Sequence, residues 1–164
     1  MGLFKKKAIL VGVAGSYNAF SLSLYNLKAY ALRDPAIRRD WDLPVMQIPL
    51  IHRAKYELKG EELGKTILKK RPQLVAFSCY MWNIQFFGVL AKYLKQNSPE
   101  IKIVYGGPEL DTEHIMEGKL DDEYADFCVS GEGERTFLEL LKNLSCGTPE
   151  LSLIKGLSYR NSFD

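Results

Sequence analysis

The chain has 164 residues, a length that suits one ordinary domain, and 46% of them are apolar, enough for a core with helices on both faces of a sheet. Its 22 Lys and Arg residues nearly balance its 20 Asp and Glu residues, and no stretch approaches the roughly 20 apolar residues of a membrane span, so neither nucleic acid nor a bilayer is an expected partner. The three cysteines (Cys79, Cys128 and Cys146) lack metal-ligand spacing, which favours reduced thiols in a cytoplasmic protein.

The chain opens with a basic run, Lys5 to Lys7, which is followed by an apolar run, Ala8 to Ala14. This order imitates a secretion signal, but the apolar run is only about seven residues long and contains Gly12, with Gly15 directly after it. We interpret the apolar run as a short buried strand.

Short apolar runs alternate with helical patterns along the chain. The five predicted strands are Ala8 to Val13, Val45 to Ile51, Leu74 to Ser78, Ile101 to Tyr105, and Phe127 to Ser130. Apolar residues recur at helical spacing around Leu24, Ile67, Leu90 and Leu141, and a shorter helix is predicted from Thr112 to Glu117. Strict alternation predicts a flavodoxin-like or Rossmann-like α/β fold: a doubly wound parallel five-stranded sheet with helices on both faces.

The last part of the chain is turn-rich from Ser145 to Pro149 and then offers a candidate sixth strand, at an edge, from Leu153 to Tyr159. We therefore divide the chain into an α/β domain over residues 1–148 and a segment over residues 149–164. That segment would hold the edge strand and the start of a linker to a further domain.

In open parallel sheets, ligands bind beyond the carboxyl ends of the strands, so the loops at those ends are the candidate site. The first loop, residues 12–18, is small and polar and opens a helix, as an anion or cofactor loop would. It matches neither G-x-G-x-x-G nor a Gly-Lys-Ser/Thr motif, which weakens dinucleotide and nucleoside-triphosphate interpretations. A plain turn is the alternative.

The third strand ends in a mixture of side chains that core packing does not explain, with the hydroxyl of Ser78 followed by Tyr80, Trp82 and Asn83. Large amphipathic rings in a loop usually cover a flat ligand or another domain. Asn83 has a simpler alternative role, as the cap of the following helix.

The fourth and fifth strands end in glycine-containing loops. Gly106 and Gly107 would let the backbone approach a ligand closely, although a tight turn would also use them. The run from Gly131 to Glu134 reads as a helix start whose carboxylates complement the helix dipole, and those carboxylates would repel nucleotide phosphates.

The two histidines, His52 and His114, have no partner at metal-ligand spacing, and we expect solvated or packing roles for them. The chain has no G-x-S-x-G elbow and no Cys with an obviously placed base. The chain by itself is therefore not expected to be catalytic.

Three motifs in register carry a specific resemblance: F-S-C-Y-M-W-N at 77–83, V-Y-G-G-P-E at 104–109 and V-S-G-E-G-E-R-T-F at 129–137. With them the chain resembles the N-terminal cobalamin-binding domain of B12-dependent radical SAM proteins. That group includes the anaerobic magnesium-protoporphyrin monomethyl ester cyclases and many methylases. The resemblance covers nearly the whole chain.

The resemblance implies that strand-end loops hold the corrin ring while the nucleotide tail of cobalamin lies between sheet and helices. Ser78 would hydrogen-bond the tail, Gly106 and Gly107 would let it pass, and Tyr80, Trp82 and Asn83 would border the corrin and its amides. Tyr17 and Asn18 would face the lower side of the cobalt. The full set of implied cofactor-binding residues is Tyr17, Asn18, Ser78, Tyr80, Trp82, Asn83, Gly106, Gly107, Pro108, Glu109, Gly131, Glu132 and Gly133.

Two departures refine the expected function. The D-x-H-x-x-G motif of other cobalamin domains is absent after the first strand, so the resemblance implies cobalamin held base-off and without a protein histidine. The C-x-x-x-C-x-x-C signature is absent too, so the [4Fe-4S] cluster, S-adenosylmethionine and the chemistry would belong to a C-terminal radical SAM domain of the parent protein. The parent's reaction would be methyl transfer or oxidative cyclisation of a porphyrin precursor.

Three other functions share this architecture. A phosphoacceptor receiver domain needs acidic residues at strand ends where this chain has Gly12 and Ser78. A flavodoxin-type electron carrier needs a hydroxyl-rich phosphate loop, for which Ser16, Ser21 and Ser23 are a poor substitute. A cofactor-free interaction domain would use Tyr80 and Trp82 to dock a partner.

Overall fold

The elements of the fold are seen in a computed structural model, which describes residues 5–14, 20–108, 110, 123–146 and 150–160. Its strands are β1 (Lys6–Ala14), β2 (Trp41–Asp42), β3 (Val45–Pro49), β4 (Leu74–Ser78), β5 (Lys102–Gly106), β6 (Phe127–Val129) and β7 (Leu157–Tyr159). Its α-helices are α1 (Leu22–Ala31), α2 (Pro35–Asp40), α3 (Tyr56–Leu68), α4 (Ile84–Asn97) and α5 (Gly133–Ser145). Two short 3₁₀ helices lie at Arg53–Lys55 and Leu151–Leu153.

The strands of the described residues form one sheet. Along one edge of β1 lie first β2 and then β3, both parallel to it, and the order continues from the other edge through β4, β5, β6 and β7. All pairings are parallel except that of β6 with β7, which is antiparallel. The chain thus changes direction across the sheet at β1 and β4, and this is the point where such folds bind ligands.

The sheet is covered on both faces because side chains alternate along its buried strands. Ala8 and Leu10 of β1 pack on one side against α1, α2 and α5, whereas Ile9 and Val11 pack on the other side against α3 and α4. This arrangement confirms the predicted flavodoxin-like α/β fold.

The five predicted parallel strands are confirmed as β1, β3, β4, β5 and β6, and the predicted edge strand is β7. Two further elements, β2 and α2, were not predicted from the sequence. The helix α2 starts at Pro35 behind Asp34, whose carboxylate accepts hydrogen bonds from the backbone N–H groups of Ala36 and Ile37. The hydrogen bond from Lys142 of α5 keeps the pKa of the Asp34 carboxyl below its ordinary value. The helix predicted from Thr112 to Glu117 lies outside the described residues.

The basic run at the start of β1 has a structural role. Lys5, Lys6 and Lys7 each donate a side-chain hydrogen bond to a carbonyl oxygen at or near the C-terminal end of a different helix. The acceptors are the carbonyls of Arg38 in α2, Leu144 in α5 and Lys70 just after α3. Cations are favourable there because the carbonyls of the last helical turn lack partners within the helix.

Within the described part of the chain, no helix combines the length and the apolar character needed to cross a membrane.

Candidate cofactor-binding site

A cavity of about 360 Å³ opens at the carboxyl ends of β4, β5 and β6, between the sheet and the helices α1 and α5. This volume is within the range of small-molecule pockets. The predicted site residues that line the cavity are Ser78, Tyr80, Gly106, Gly107, Pro108, Gly131, Glu132 and Gly133. The fold therefore brings together, around one space, loops that lie far apart in the sequence.

The interior of the cavity is apolar. Its buried apolar walls on the side of α1 and α5 are Leu24, Ala76, Val104, Val129 and Phe137. The lining residues Ser23 and Glu132 are exposed, and Glu134 is partly exposed, so polar groups form the rim. The cavity can thus take a flat apolar group inside and polar groups at its mouth.

Ser78 is the exception in this apolar interior. It follows Ala76 by two positions along β4, so it faces the same side of the sheet, and only 6% of its surface is exposed. Its hydroxyl lies 3.4 Å from the hydroxyl of Ser23, a long contact, and Ser23 lies 3.1 Å from the hydroxyl of Ser21. The Ser78 hydroxyl is therefore held weakly enough to turn toward a ligand atom.

The two glycines after β5 are required for different reasons. Gly107 has φ +120, and a Cβ there would lie 2.4 Å from the carbonyl oxygen of Cys79, so the neighbouring loop excludes any side chain. A Cβ on Gly106 would meet only Val129, at an ordinary 3.7 Å. Nothing among its described neighbours therefore requires a glycine at 106, whereas a side chain there would extend into the cavity.

Asn83 organises the loop after β4 from inside. Only 1% of it is exposed; its Oδ1 accepts from the backbone N–H of Tyr80 at 2.8 Å, and its Nδ2 donates to the carbonyl of Ser78 at 3.1 Å. Asn83 does occupy the N-cap position of α4, as the alternative expected, but its side chain makes no capping hydrogen bond there and points back into the preceding loop. Asn83 therefore fixes the position of Ser78 and Tyr80.

The same loop carries a flat aromatic surface at the rim. The rings of Tyr80 and Trp82 are stacked, with centroids 4.8 Å apart and planes 11° apart. Tyr80 lines the cavity, whereas Trp82 is 55% exposed and Met81 is 74% exposed. Exposed rings held in one orientation are suited to cover a large planar ligand.

The loop after β6 leads directly into α5. Gly131 has φ +73, and no described heavy atom lies within 4 Å of the position that a Cβ would take there. Helix α5 begins at Gly133, with Glu134 in its first turn. The predicted helix start with acidic residues is confirmed. A Cβ on Gly133 would lie 3.3 Å from the side chain of Val129, so a small residue suits the close approach of α5 to β6.

The structure describes one of the five remaining candidates, His52, which does not line the cavity. Tyr17, Asn18, Glu109 and His114 fall outside the described residues. His52 is exposed at the N-terminus of the first 3₁₀ helix, where its Nδ1 accepts from the backbone N–H of Ala54 at 3.3 Å.

The helix residues that close the cavity were not among the predicted site residues. These are Ser23, Leu24 and Leu27 of α1 and Phe137 of α5. The apolar ones were recognised as a core face from their spacing, but spacing does not show whether a helix face packs on the sheet or borders a space. Ser23 was noted only as part of a poor phosphate loop.

This combination of a parallel sheet and a strand-end cavity coincides with the result of a comparison with protein families. A model of the B12 binding domain matches residues 45–141, more than half of the chain, from β3 to the middle of α5. The chain belongs to the B12-binding domain family. The matched segment holds most of the residues that line the cavity of this B12-binding domain.

Two curated relatives are similar to the B12-binding domain. One is a 2-(S-pantetheinyl)-carbapenam-3-carboxylate methyltransferase of Streptantibioticus cattleyicolor, 29% identical over 82% of the chain and 18% of the relative. The other is the cobalamin-dependent radical SAM methyltransferase TokK of Streptomyces tokunonensis, 29% identical over 94% of the chain and 21% of the relative. The chain thus spans about a fifth of the length of these relatives.

Proposed function

We propose that this B12-binding domain holds cobalamin with the corrin ring over the carboxyl edge of the sheet and the nucleotide tail inside the cavity. The observation that carries the proposal is the apolar cavity at the ends of β4, β5 and β6, with a glycine at 106 that no described neighbour requires. The family match supports the choice of cobalamin over a flavin.

The residues around the cavity fit the parts of this cofactor. Ser78 would donate its hydroxyl to the base of the tail, because it is the buried polar side chain among the described apolar walls. The Tyr80 and Trp82 rings would cover the corrin, and Asn83 would hold that loop in place. The other proposed contacts are Gly106, Gly107, Pro108, Glu109, Gly131, Glu132 and Gly133, with Tyr17 and Asn18 below the cobalt.

We propose further that the cobalamin is bound base-off and without a histidine ligand. A tail inserted between sheet and helices cannot also place its base on the cobalt. His52 lies after β3 and uses its Nδ1 in the 3₁₀ helix, so its present role is to cap that turn.

The parent protein is proposed to be a B12-dependent radical SAM enzyme in which a C-terminal domain supplies the [4Fe-4S] cluster and S-adenosylmethionine. Both relatives are named as methyltransferases, which favours methyl transfer over ring cyclisation. In this proposal residues 1–148 position cobalamin in a cytoplasmic protein, and residues 149–164 lead to the catalytic domain.

The test is retention of corrinoid by the purified protein after incubation with hydroxocobalamin and desalting, followed by the visible spectrum. We expect retained corrinoid with a base-off spectrum. Gly106→Leu is expected to abolish retention, because the new side chain extends from β5 into the cavity while its Cβ meets no close contact.

A matched control is Ala54→Leu, which adds a similar volume at an exposed position of the first 3₁₀ helix, none of whose residues lines the cavity. This variant should retain corrinoid as the unchanged protein does. Retention by Gly106→Leu at the level of the control would contradict the placement of the tail, and no retention by any of the three proteins would contradict the proposed function.

A further inference from the structure

The chemistry of the cavity walls distinguishes between corrinoids that differ only in the base at the end of the tail; this inference rests on the proposed function. Natural corrinoids carry, among other bases, a benzimidazole or an adenine. Benzimidazole is largely apolar and, when it is off the cobalt, presents one free ring nitrogen. Adenine presents an amino group and additional ring nitrogens.

We propose that the cavity selects corrinoids with a benzimidazole base over corrinoids with an adenine base. Its walls on the side of α1 and α5 are apolar and buried: Leu24, Ala76, Val104, Val129 and Phe137. Ser78 adds one buried hydroxyl, which matches the one free nitrogen of benzimidazole.

At the ends of β4 and β5, the backbone carbonyls beside the cavity already accept hydrogen bonds within the protein. The carbonyl of Ser78 already accepts from Asn83, and the carbonyl of Gly106 already accepts from the backbone N–H of Cys79 at 2.6 Å. The strands around them are paired on both sides, β4 with β1 and β5, and β5 with β4 and β6. An adenine amino group placed at these strand ends would therefore meet carbonyls that already have a donor, and its additional ring nitrogens would face the apolar walls.

Glu132 and Glu134 do not change this expectation. They line the cavity but belong to its more exposed rim, where they would meet the ribose and the corrin amides. A carboxylate drawn inside to accept from adenine would lose its own hydration.

Leaving such polar groups unpaired weakens binding, so we expect the protein to bind cobalamin at least about tenfold more tightly than the adenine corrinoid. The experiment is spectroscopic titration of the protein with cobalamin, with its adenine counterpart and with cobinamide, which lacks the tail base. Equal affinity for the first two, or tighter binding of the adenine form, would overturn the inference while leaving the proposed function in place. Failure of all three corrinoids to bind would overturn the proposed function and this inference with it.

A second measurement tests the walls directly. Ala76→Ser adds a hydroxyl to the cavity and is expected to reduce the preference for benzimidazole, because adenine gains a partner. Ala91→Ser adds the same hydroxyl to a buried position of α4 on the opposite face of the sheet, so it should leave the ratio of affinities unchanged. The same ratio in both variants would overturn the assignment of selectivity to the cavity walls.

Discussion

At the scale of single residues, the two glycines at the end of β5 differ in the reason for having no side chain. The fold requires a glycine at 107, whereas the proposed ligand would require one at 106. Both glycines were predicted to admit a close approach. In the structure, Gly107 makes room for the backbone of Cys79, whereas Gly106 borders the cavity and a Cβ there would meet Val129 alone among the described residues. The proposed binding function is therefore tested more cleanly at 106 than at 107.

This difference predicts unequal effects on stability for two alanine substitutions. Gly107→Ala should destabilise the protein by about 1–3 kcal/mol, because it combines an unfavourable positive φ with a collision against backbone. Gly106→Ala should change the free energy of unfolding by less than about 1 kcal/mol, since the new Cβ makes ordinary contacts and restricts the unfolded chain. Urea unfolding of both variants measures these changes in the free energy of unfolding. Equal losses of stability would show that the protein, and not the ligand, requires a glycine at 106.

The residues of the loop after β4 were predictable from the sequence, but the contacts that each of them makes were not. Ser78 and Tyr80 could be predicted as site residues because the buried strand ends there and the motif at that place is distinctive. The role of Asn83 was not predictable. Its side chain forms hydrogen bonds with the preceding residues Ser78 and Tyr80, and these bonds depend on the conformation of the folded loop. Likewise, nothing in the spacing of Tyr80 and Trp82 fixes the stacking of their rings.

At the scale of elements, the buried strands were the most predictable part of the fold and the short edge elements the least. Leu74–Ser78 is apolar and preceded by Pro72, so its identity and bounds followed from the sequence. The strand β2 has only two residues, Trp41–Asp42, too few for any periodicity. The helix α2 did carry a signal, Asp34 before Pro35, which is typical of a helix start.

The lysines at the start of β1 connect the strand to the ends of helices that lie far away in the sequence. Lys6 donates to Leu144 at the end of α5 at 2.7 Å in a partly buried position, and its Nζ lies 5.6 Å from the centroid of the Trp41 ring. Lys5 makes a similar bond to the carbonyl of Arg38 at 2.8 Å, but in an exposed position. Because water screens exposed charges, the two bonds should contribute unequally to stability.

We therefore expect Lys6→Met to lower the free energy of unfolding by about 1–2 kcal/mol, through loss of a charged hydrogen bond to a helix end. Lys5→Met is the matched control, with an expected loss below about 0.5 kcal/mol. Thermal and urea unfolding of the two variants provide the measurement. An undisturbed Lys6→Met protein would mean that the basic run does not stabilise the ends of the helices.

At the scale of the whole molecule, the two faces of the sheet are built differently. At the carboxyl ends of β4 and β5, the face under α3 and α4 is filled by large side chains, and the ring of Phe77 contacts those of Phe87 and Tyr105. The face under α1 and α5 is packed toward the amino ends of the strands and holds the cavity at the carboxyl ends. The periodicity of apolar residues predicted helices on both faces of the sheet. It could not show whether a helix packs closely on the sheet or leaves a cavity beneath it.

A protein with such a cavity should be less stable empty than occupied. Cobalamin at about one hundred times its dissociation constant would stabilise the folded state by about 2.7 kcal/mol and raise the Tm by about 5–10 °C. Gly106→Leu fills part of the same space with apolar atoms, so its Tm without cofactor should equal or exceed that of the unchanged protein, and cobalamin should no longer raise it. Scanning calorimetry of both proteins, each with and without hydroxocobalamin, separates the two effects. Suppose instead that Gly106→Leu lowers the Tm and that cobalamin still raises it. The leucine side chain would then not occupy the space of the cofactor, and residue 106 would support the loop rather than border the cofactor.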